Sequence, residues 1–407
     1  MYLLLIEKVI GGEKLGNVQR DTGIMFLSIF IVGLGFSIIM PVLPFYVTSM
    51  GASAFQLGLL ITVYALCQFI FAPLWGSYSD RIGRRPILIV GIIGFSLTFI
   101  LMGLATRLWM LFAARIAGGV LSCAALPTAM AYVGDTTTDE KRAASMGLVG
   151  ASMGMGMIFG PAIGGLLSAH SIALPFLFAG ALAAVNAIMV ILSVKESLPP
   201  EKRSQQRQIN IIPPFWDGIK SIMFVLFAVI FLISIAEAMH QSTFALFMNG
   251  RLGLGARDIG WAFVAGGIGS VLVQGILVSR VIDRLGEEKT VQIGIAVIGL
   301  SFILFLNAMS LTHAILFMAL YAGGIGLVRP SITTAVSRRT DMAQGKSMGI
   351  LQGFDSLGRV IGPSLGGLLL DTRLTLAYTG AIGILAFALI FFRVSSRIKR
   401  APRNSAD

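Results

Sequence analysis

Arg115, Glu237, Arg329, Asp355 and Arg359 are charged residues set inside long apolar runs of the chain. A charge at the centre of a bilayer costs about 2.5–3.5 kcal/mol on insertion scales, so each calls for a reason. Glu237 lies midway along its run, in IAEAMHQST, with no cation within a helical turn and His240 one turn further on. A carboxyl so placed can carry a proton or hold a cation; the plainer reading is a polar residue lining a cavity. Asp355 and Arg359 are spaced i, i+4, so on a helix they share a face and can neutralise one another. Three arginines against two acids also leave room for an anionic or zwitterionic ligand. His170 and His313 fall at the edges of apolar runs and read as bland. Met153, Met155 and Met157 read as packing residues or as part of a compliant pocket.

The elements that must hold these residues follow from composition. Of 407 residues 56% are hydrophobic and 12% charged, and mean hydropathy is +0.86; soluble domains carry roughly 25% charged residues. Twelve apolar segments can be marked, each near the ~20 residues that a helix needs to cross hydrocarbon. They run over 22–47, 53–77, 86–105, 108–132, 142–168 and 173–194, then 218–248, 257–281, 289–308, 311–336, 344–370 and 374–393. The expected fold is therefore an all-α membrane protein of twelve transmembrane helices. Unalternating runs of this length are not strands.

Of the 31 Lys and Arg residues, Arg107, Arg251, Arg257 and Arg373 fall on one side, and Arg115, Arg329 and Arg359 lie within spans. All the others share the side that holds both chain ends, which the positive-inside rule makes cytoplasmic. The net charge of +12 is thus topological, and no nucleic-acid partner is expected. Residues 1–21 and 394–407 read as cytoplasmic tails, not a signal peptide. Cys67 and Cys123 read as small core residues. No metal-ligand cluster, nucleotide loop or nucleophile–base pair is evident, so no cofactor, metal or catalytic residue is expected, and a membrane enzyme or sensor is the weakest reading.

The chain repeats itself with an offset of about 202 residues. Gln56-Leu57-Gly58 parallels Asp258-Ile259-Gly260, Asp80-Arg81-Ile82-Gly83 parallels Asp283-Arg284-Leu285-Gly286, and Pro127 parallels Pro330. SMG at 145–147 with GPAIGGLL at 160–167 parallels SMG at 347–349 with GPSLGGLL at 362–369. Six spans return a chain to the same side, so both copies share one orientation. The expected plan is two six-helix, pseudo-symmetric bundles, 22–194 and 218–393, joined by a cytoplasmic linker at 195–217.

On these residues the chain resembles the major facilitator superfamily of transporters, in its twelve-helix drug:proton antiporter branch. The motifs are Gly76, Asp80, Arg81, Gly83, Arg84 and Arg85 in GSYSDRIGRR; RxxxG at Arg115–Gly119; Gly156, Gly160, Pro161, Gly164 and Gly165 in span five; and MPVLPFY at 40–46. The resemblance covers nearly the whole chain. It implies a multi-pass protein of a bacterial cell membrane, working as a monomer in the lipid bilayer with protons and a small-molecule substrate. Proton-coupled export of hydrophobic or cationic compounds by alternating access is the leading expectation; transport of a specific metabolite is the alternative.

The resemblance further implies that Asp80 faces the amino end of span eleven, where Asp341 and Gln344 have capping-box spacing. With Arg84 paired to Asp135 this forms a conformational latch. The plainer reading is a topology anchor of Arg81, Arg84 and Arg85. Arg115 matches the family's span-four arginine and is expected to bond backbone carbonyls of span one or to modulate proton exchange. Gly33, Gly35, Pro41 and Pro44 suggest a broken span one. Gly76 is expected to let a neighbour pack closely. The second loop, SRVIDRLGEEK, reverses the outer charges, and only the first copy is expected to serve as the full latch.

Overall fold

The computed structural model describes residues 16–203, 214–340 and 342–400. Among the described residues the secondary structure is helical, without strands. The tails at 1–15 and 401–407, residues 204–213 of the 195–217 linker, and Asp341 lie outside the described residues. Every expected apolar segment coincides with a helix. Spans one to three are Gly16–Ser49, Ala54–Ile82 and Arg84–Gly103. Span four is Leu108–Leu121 and Ala125–Thr136, joined by a 3-10 turn at Ser122–Ala124. Spans five and six are Asp139–Ser168 and Leu174–Ser193. Span seven, Phe224–Leu252, follows a short helix Phe215–Lys220. Span eight starts as Ala256–Leu272 and passes through a π turn at Val273–Leu277 into Val278–Leu306, which also holds span nine. Spans ten to twelve are Leu311–Arg339, Gln344–Thr372 and Leu376–Arg400. Among the described residues ten helices qualify as membrane spans by length and hydropathy, and one of these is the 51-residue stretch that contains both spans eight and nine.

Spans eight and nine separate at Gly286, with φ 76° and ψ 163°. Gly83 has φ 121° between spans two and three. The glycine of each Asp-Arg-x-Gly core therefore sits in a backbone region that L side chains avoid, which explains why both copies keep it. The helix starts repeat too. The Gln56 side chain accepts from the Ser53 N–H at 3.0 Å, and Asp258 accepts from the Gly255 N–H at 3.1 Å, each reaching back over one turn.

Contacts divide the chain into two units: Met1–Met50 with Val63–Ile211, and Gly51–Thr62 with Ile212–Asp407. In the first, span one packs chiefly on span five and span three on span six; in the second, span seven packs on span eleven and span nine on span ten. Glycines set the closest approaches. A Cβ on Gly156 would lie 2.6 Å from Leu34 N, and one on Gly362 2.6 Å from Ile235 O. Lipid gives no hydrophobic drive between helices, so small residues that let backbones meet supply the contact.

Three expectations change. Span one runs unbroken through Pro41 and Pro44; the irregular turns fall in spans four and eight instead. Among the described residues nothing lies within 4 Å of a Cβ built on Gly76, so no close approach requires it. Gln344 is the first helical residue of span eleven, with Ala343 as its cap residue. The Gln344 side chain donates to Ser337 Oγ at 2.8 Å, so it does not close the expected capping box; Asp341 itself lies outside the described residues.

Candidate functional site

Four of the intramembrane charges meet in the second unit. Span seven supplies Ser234, Glu237 and Gln241, a polar stripe at i, i+3 and i+7 along one face of the helix. Span ten supplies Arg329, and span eleven supplies Asp355 and Arg359. Arg329 donates to Glu237 Oε2 from Nη2 at 2.5 Å and from Nε at 3.2 Å. The same Nη2 reaches Asp355 Oδ1 at 3.0 Å. Ser234 Oγ donates to that Asp355 oxygen, and Arg359 Nε donates to Asp355 Oδ2 at 3.2 Å. Gln241 Nε2 donates to Glu237 Oε1 at 3.1 Å.

The expected Asp355–Arg359 pair is thus part of a larger network. Glu237, with no cation within a helical turn of it on its own helix, takes one from span ten, 92 positions away in sequence. With both acids ionised, two carboxylates and two guanidiniums sum to zero. An attraction of Glu237 alone for a cation, as the sequence suggests, is replaced by a neutral cluster. Desolvation is tolerable here because each buried charge has an opposite partner and hydrogen bonds.

His240 does not join the cluster. Its Nδ1 is 3.0 Å from Tyr378 Oη, and its ring lies among Phe244, Phe302, Phe305 and Tyr321, with the Tyr321 centroid at 4.3 Å. Arg115, in the first unit, is also apart. It is buried with its guanidinium 5.2 Å from the Tyr64 ring centroid on span two, a cation–π contact. Among the described residues it makes no bond to a span-one carbonyl, and its Nε has no partner. The aromatic face takes the place of the expected carbonyls.

The end of the first unit where span two meets span three carries a second network. Arg84 Nη1 donates to Asp80 Oδ1 at 2.6 Å and to Ser79 Oγ at 3.1 Å, while its Nε donates to Asp135 Oδ2 at 2.8 Å. Arg85 Nη2 donates to the Ile191 carbonyl at 2.7 Å. Glu196, which sequence reasoning passed over, accepts from the backbone N–H groups of Arg84 at 2.8 Å and Arg85 at 3.2 Å. It thereby caps span three, whose helix has no side-chain cap of its own. Asp371 was also missed; it accepts from the Ala54 N–H at 2.9 Å and the Phe55 N–H at 2.8 Å, at the start of span two.

The reversed charges of the second loop have partners of their own. Glu287 accepts from Arg338 Nη1 at 2.9 Å and Arg339 Nη2 at 3.3 Å, and Glu288 from Arg339 Nη1 at 2.6 Å. The signs differ because the partners at the end of span ten differ as well. Among the described residues no group of three or more His, Cys, Asp and Glu side chains could hold a metal ion.

Paired glycine-lined apolar helices in two units, with one charge cluster buried among the spans of the second, are the features of a multi-pass membrane protein. The family model described as Major Facilitator Superfamily matches residues 25–236 and 226–407, and the chain belongs to that family. It is 32% identical over 373 residues to Multidrug resistance protein 2 of Bacillus subtilis strain 168, covering 89% of this chain and 92% of that one. It is 33% identical over 343 residues to the class C Tetracycline resistance protein of Escherichia coli, covering 83% and 86%. The solved structure of the nucleoside transporter NupG superposes with a TM-score of 0.77 at 11% identity, covering 95% of this chain and all (100%) of that one. At that identity the likeness speaks for the fold.

Proposed function

We propose that this protein exports small hydrophobic or cationic compounds across the bacterial cell membrane, driven by protons moving inward. The observation that carries the proposal is Glu237, a buried carboxylate in mid-span, held by Arg329 in a cluster whose net charge changes with a single proton. The names of the relatives, which are resistance proteins, support export. One proton falling through 100 mV releases about 2.3 kcal/mol, enough for roughly a 50-fold gradient of a neutral compound.

In this reading the chain crosses the membrane twelve times with both ends in the cytoplasm, as a monomer in the bilayer. Its bundles are 22–194 and 218–393. The Asp80–Arg84–Asp135 relay, with Gly76, Arg81, Gly83 and Arg85 in its loop, acts as a conformational latch, so Asp80→Asn weakens transport while leaving binding intact. Gly156, Gly160, Pro161, Gly164 and Gly165 form the seam along which spans one and five adjust. Arg115 and His240 support the cavity or the proton path from outside the cluster.

The test is a drug-susceptibility profile on overexpression, with and without an uncoupler. Broad protection that the uncoupler removes supports the proposal. Protection limited to one metabolite analogue favours a specific metabolite carrier.

A further inference from the structure

Resting on that reading, the cluster also says what a compound meets there. Both carboxylates are committed. The Glu237 side chain is 9% exposed and the Asp355 side chain 8%. Their oxygens already accept from Arg329, Arg359, Ser234 and Gln241. Arg329 is committed as well, spanning both acids. Arg359 is held differently. Among the described residues its one hydrogen bond is from Nε to Asp355 at 3.2 Å; its Nη2 stands 4.0 Å from Glu237 Oε1, and 36% of its side chain is exposed. A guanidinium has five N–H donors in a planar fork. An arginine at membrane depth faces a bundle interior or an aqueous cavity, not lipid. Most of that fork is therefore available on the open side of the cluster.

A permanent cation arriving here finds no net attraction from a neutral cluster, and the nearest charge it meets is positive. A planar anionic acceptor finds a fork that can bind it through two N–H groups. We propose that Arg359 is a specificity-determining residue that selects amphoteric compounds, those joining an apolar body to a carboxylate, over otherwise identical permanent cations. Asp355 positions the guanidinium by its i, i+4 bond and leaves the Nη atoms for the ligand.

The test uses a matched pair of dyes: rhodamine 110, which carries a free carboxylate, and rhodamine 123, its methyl ester. Affinities are read by fluorescence polarisation on purified wild type, Arg359→Gln and Arg359→Lys. Wild type should bind the acid about tenfold tighter than the ester. Arg359→Gln should bring the ratio to one or below, because losing the guanidinium also leaves the cluster with one net negative charge that favours the cationic ester; retained ester binding certifies folding. Arg359→Lys, keeping the charge without the fork, should fall between. A wild type that prefers the ester, or an Arg359→Gln variant that keeps the wild-type ratio, overturns the proposal. Failure to bind either dye overturns both this inference and the export reading. Loss of proton coupling with the dye preference intact would count against the export reading alone.

Discussion

Glu287 occupies in the second half the position that Arg84 occupies in the first, and each bonds an oppositely charged residue 51 positions further on. Arg84 pairs with Asp135 at 2.8 Å, and Glu287 pairs with Arg338 at 2.9 Å. Duplication preserved the contact while the two partners exchanged signs. What the pair needs is complementarity, not a particular polarity.

Reversal of one partner should therefore be repaired by reversal of the other. Arg84→Glu leaves three carboxylates together and should cost about 2–3 kcal/mol. Adding Asp135→Arg should recover more than half of that, read as the coupling in a double-mutant cycle of thermal unfolding. Additive losses would mean that the contact contributes nothing to stability.

The Glu237–Arg329 pair should show the asymmetry of buried ion pairs. Arg329→Gln leaves two buried acids with Arg359 alone and should cost about 3–5 kcal/mol. Adding Glu237→Gln should return part of that stability, although transport stays lost. Thermal unfolding in a single detergent measures both variants.

Close backbone approach gives a third expectation. Gly362→Ala puts a Cβ 2.6 Å from Ile235 O and should lower the unfolding temperature and slow transport. Gly383→Ala, where nothing lies within 4 Å among the described residues, should be neutral or stabilising by about 0.4–1 kcal/mol. Equal effects at the two sites would remove the argument for the glycine seam between spans seven and eleven.

Asp371 caps the first N–H groups of span two from span eleven. Asp371→Ala should cost about 1 kcal/mol and speed amide exchange at Ala54 and Phe55. Unchanged exchange at those two amides would show the cap to be unimportant.

Much of the scaffold was legible in the sequence because lipid allows few solutions: an apolar run of sufficient length must be a helix. The duplication was legible for the same reason, since glycines such as Gly83 and Gly286 are tied to a backbone geometry that tolerates little else. The site was legible only as a set of residue types. Glu237, Arg329, Asp355 and Arg359 were conspicuous as charges in oil. That Arg329 joins Glu237 to Asp355 depends on how spans seven, ten and eleven pack, and no local spacing carries that. Ser234 and Gln241 left a signal in their stripe with Glu237 on span seven. Glu196 and Asp371 left none, because a carboxylate that caps another helix looks like any loop or helix-end acid. Pro41 and Pro44 misled in the other direction: span one accommodates them within a continuous helix, and the breaks in helical geometry occur at Ser122–Ala124 and Val273–Leu277.

The central claim is that a proton taken up at Glu237 drives export. Its most direct test is dye uptake into inverted membrane vesicles under an imposed proton gradient, comparing wild type with Glu237→Gln. The account predicts gradient-dependent uptake in wild type and none above background in the variant, while dye binding to the purified variant persists. Uptake by Glu237→Gln at the wild-type rate, still dissipated by an uncoupler, would contradict it.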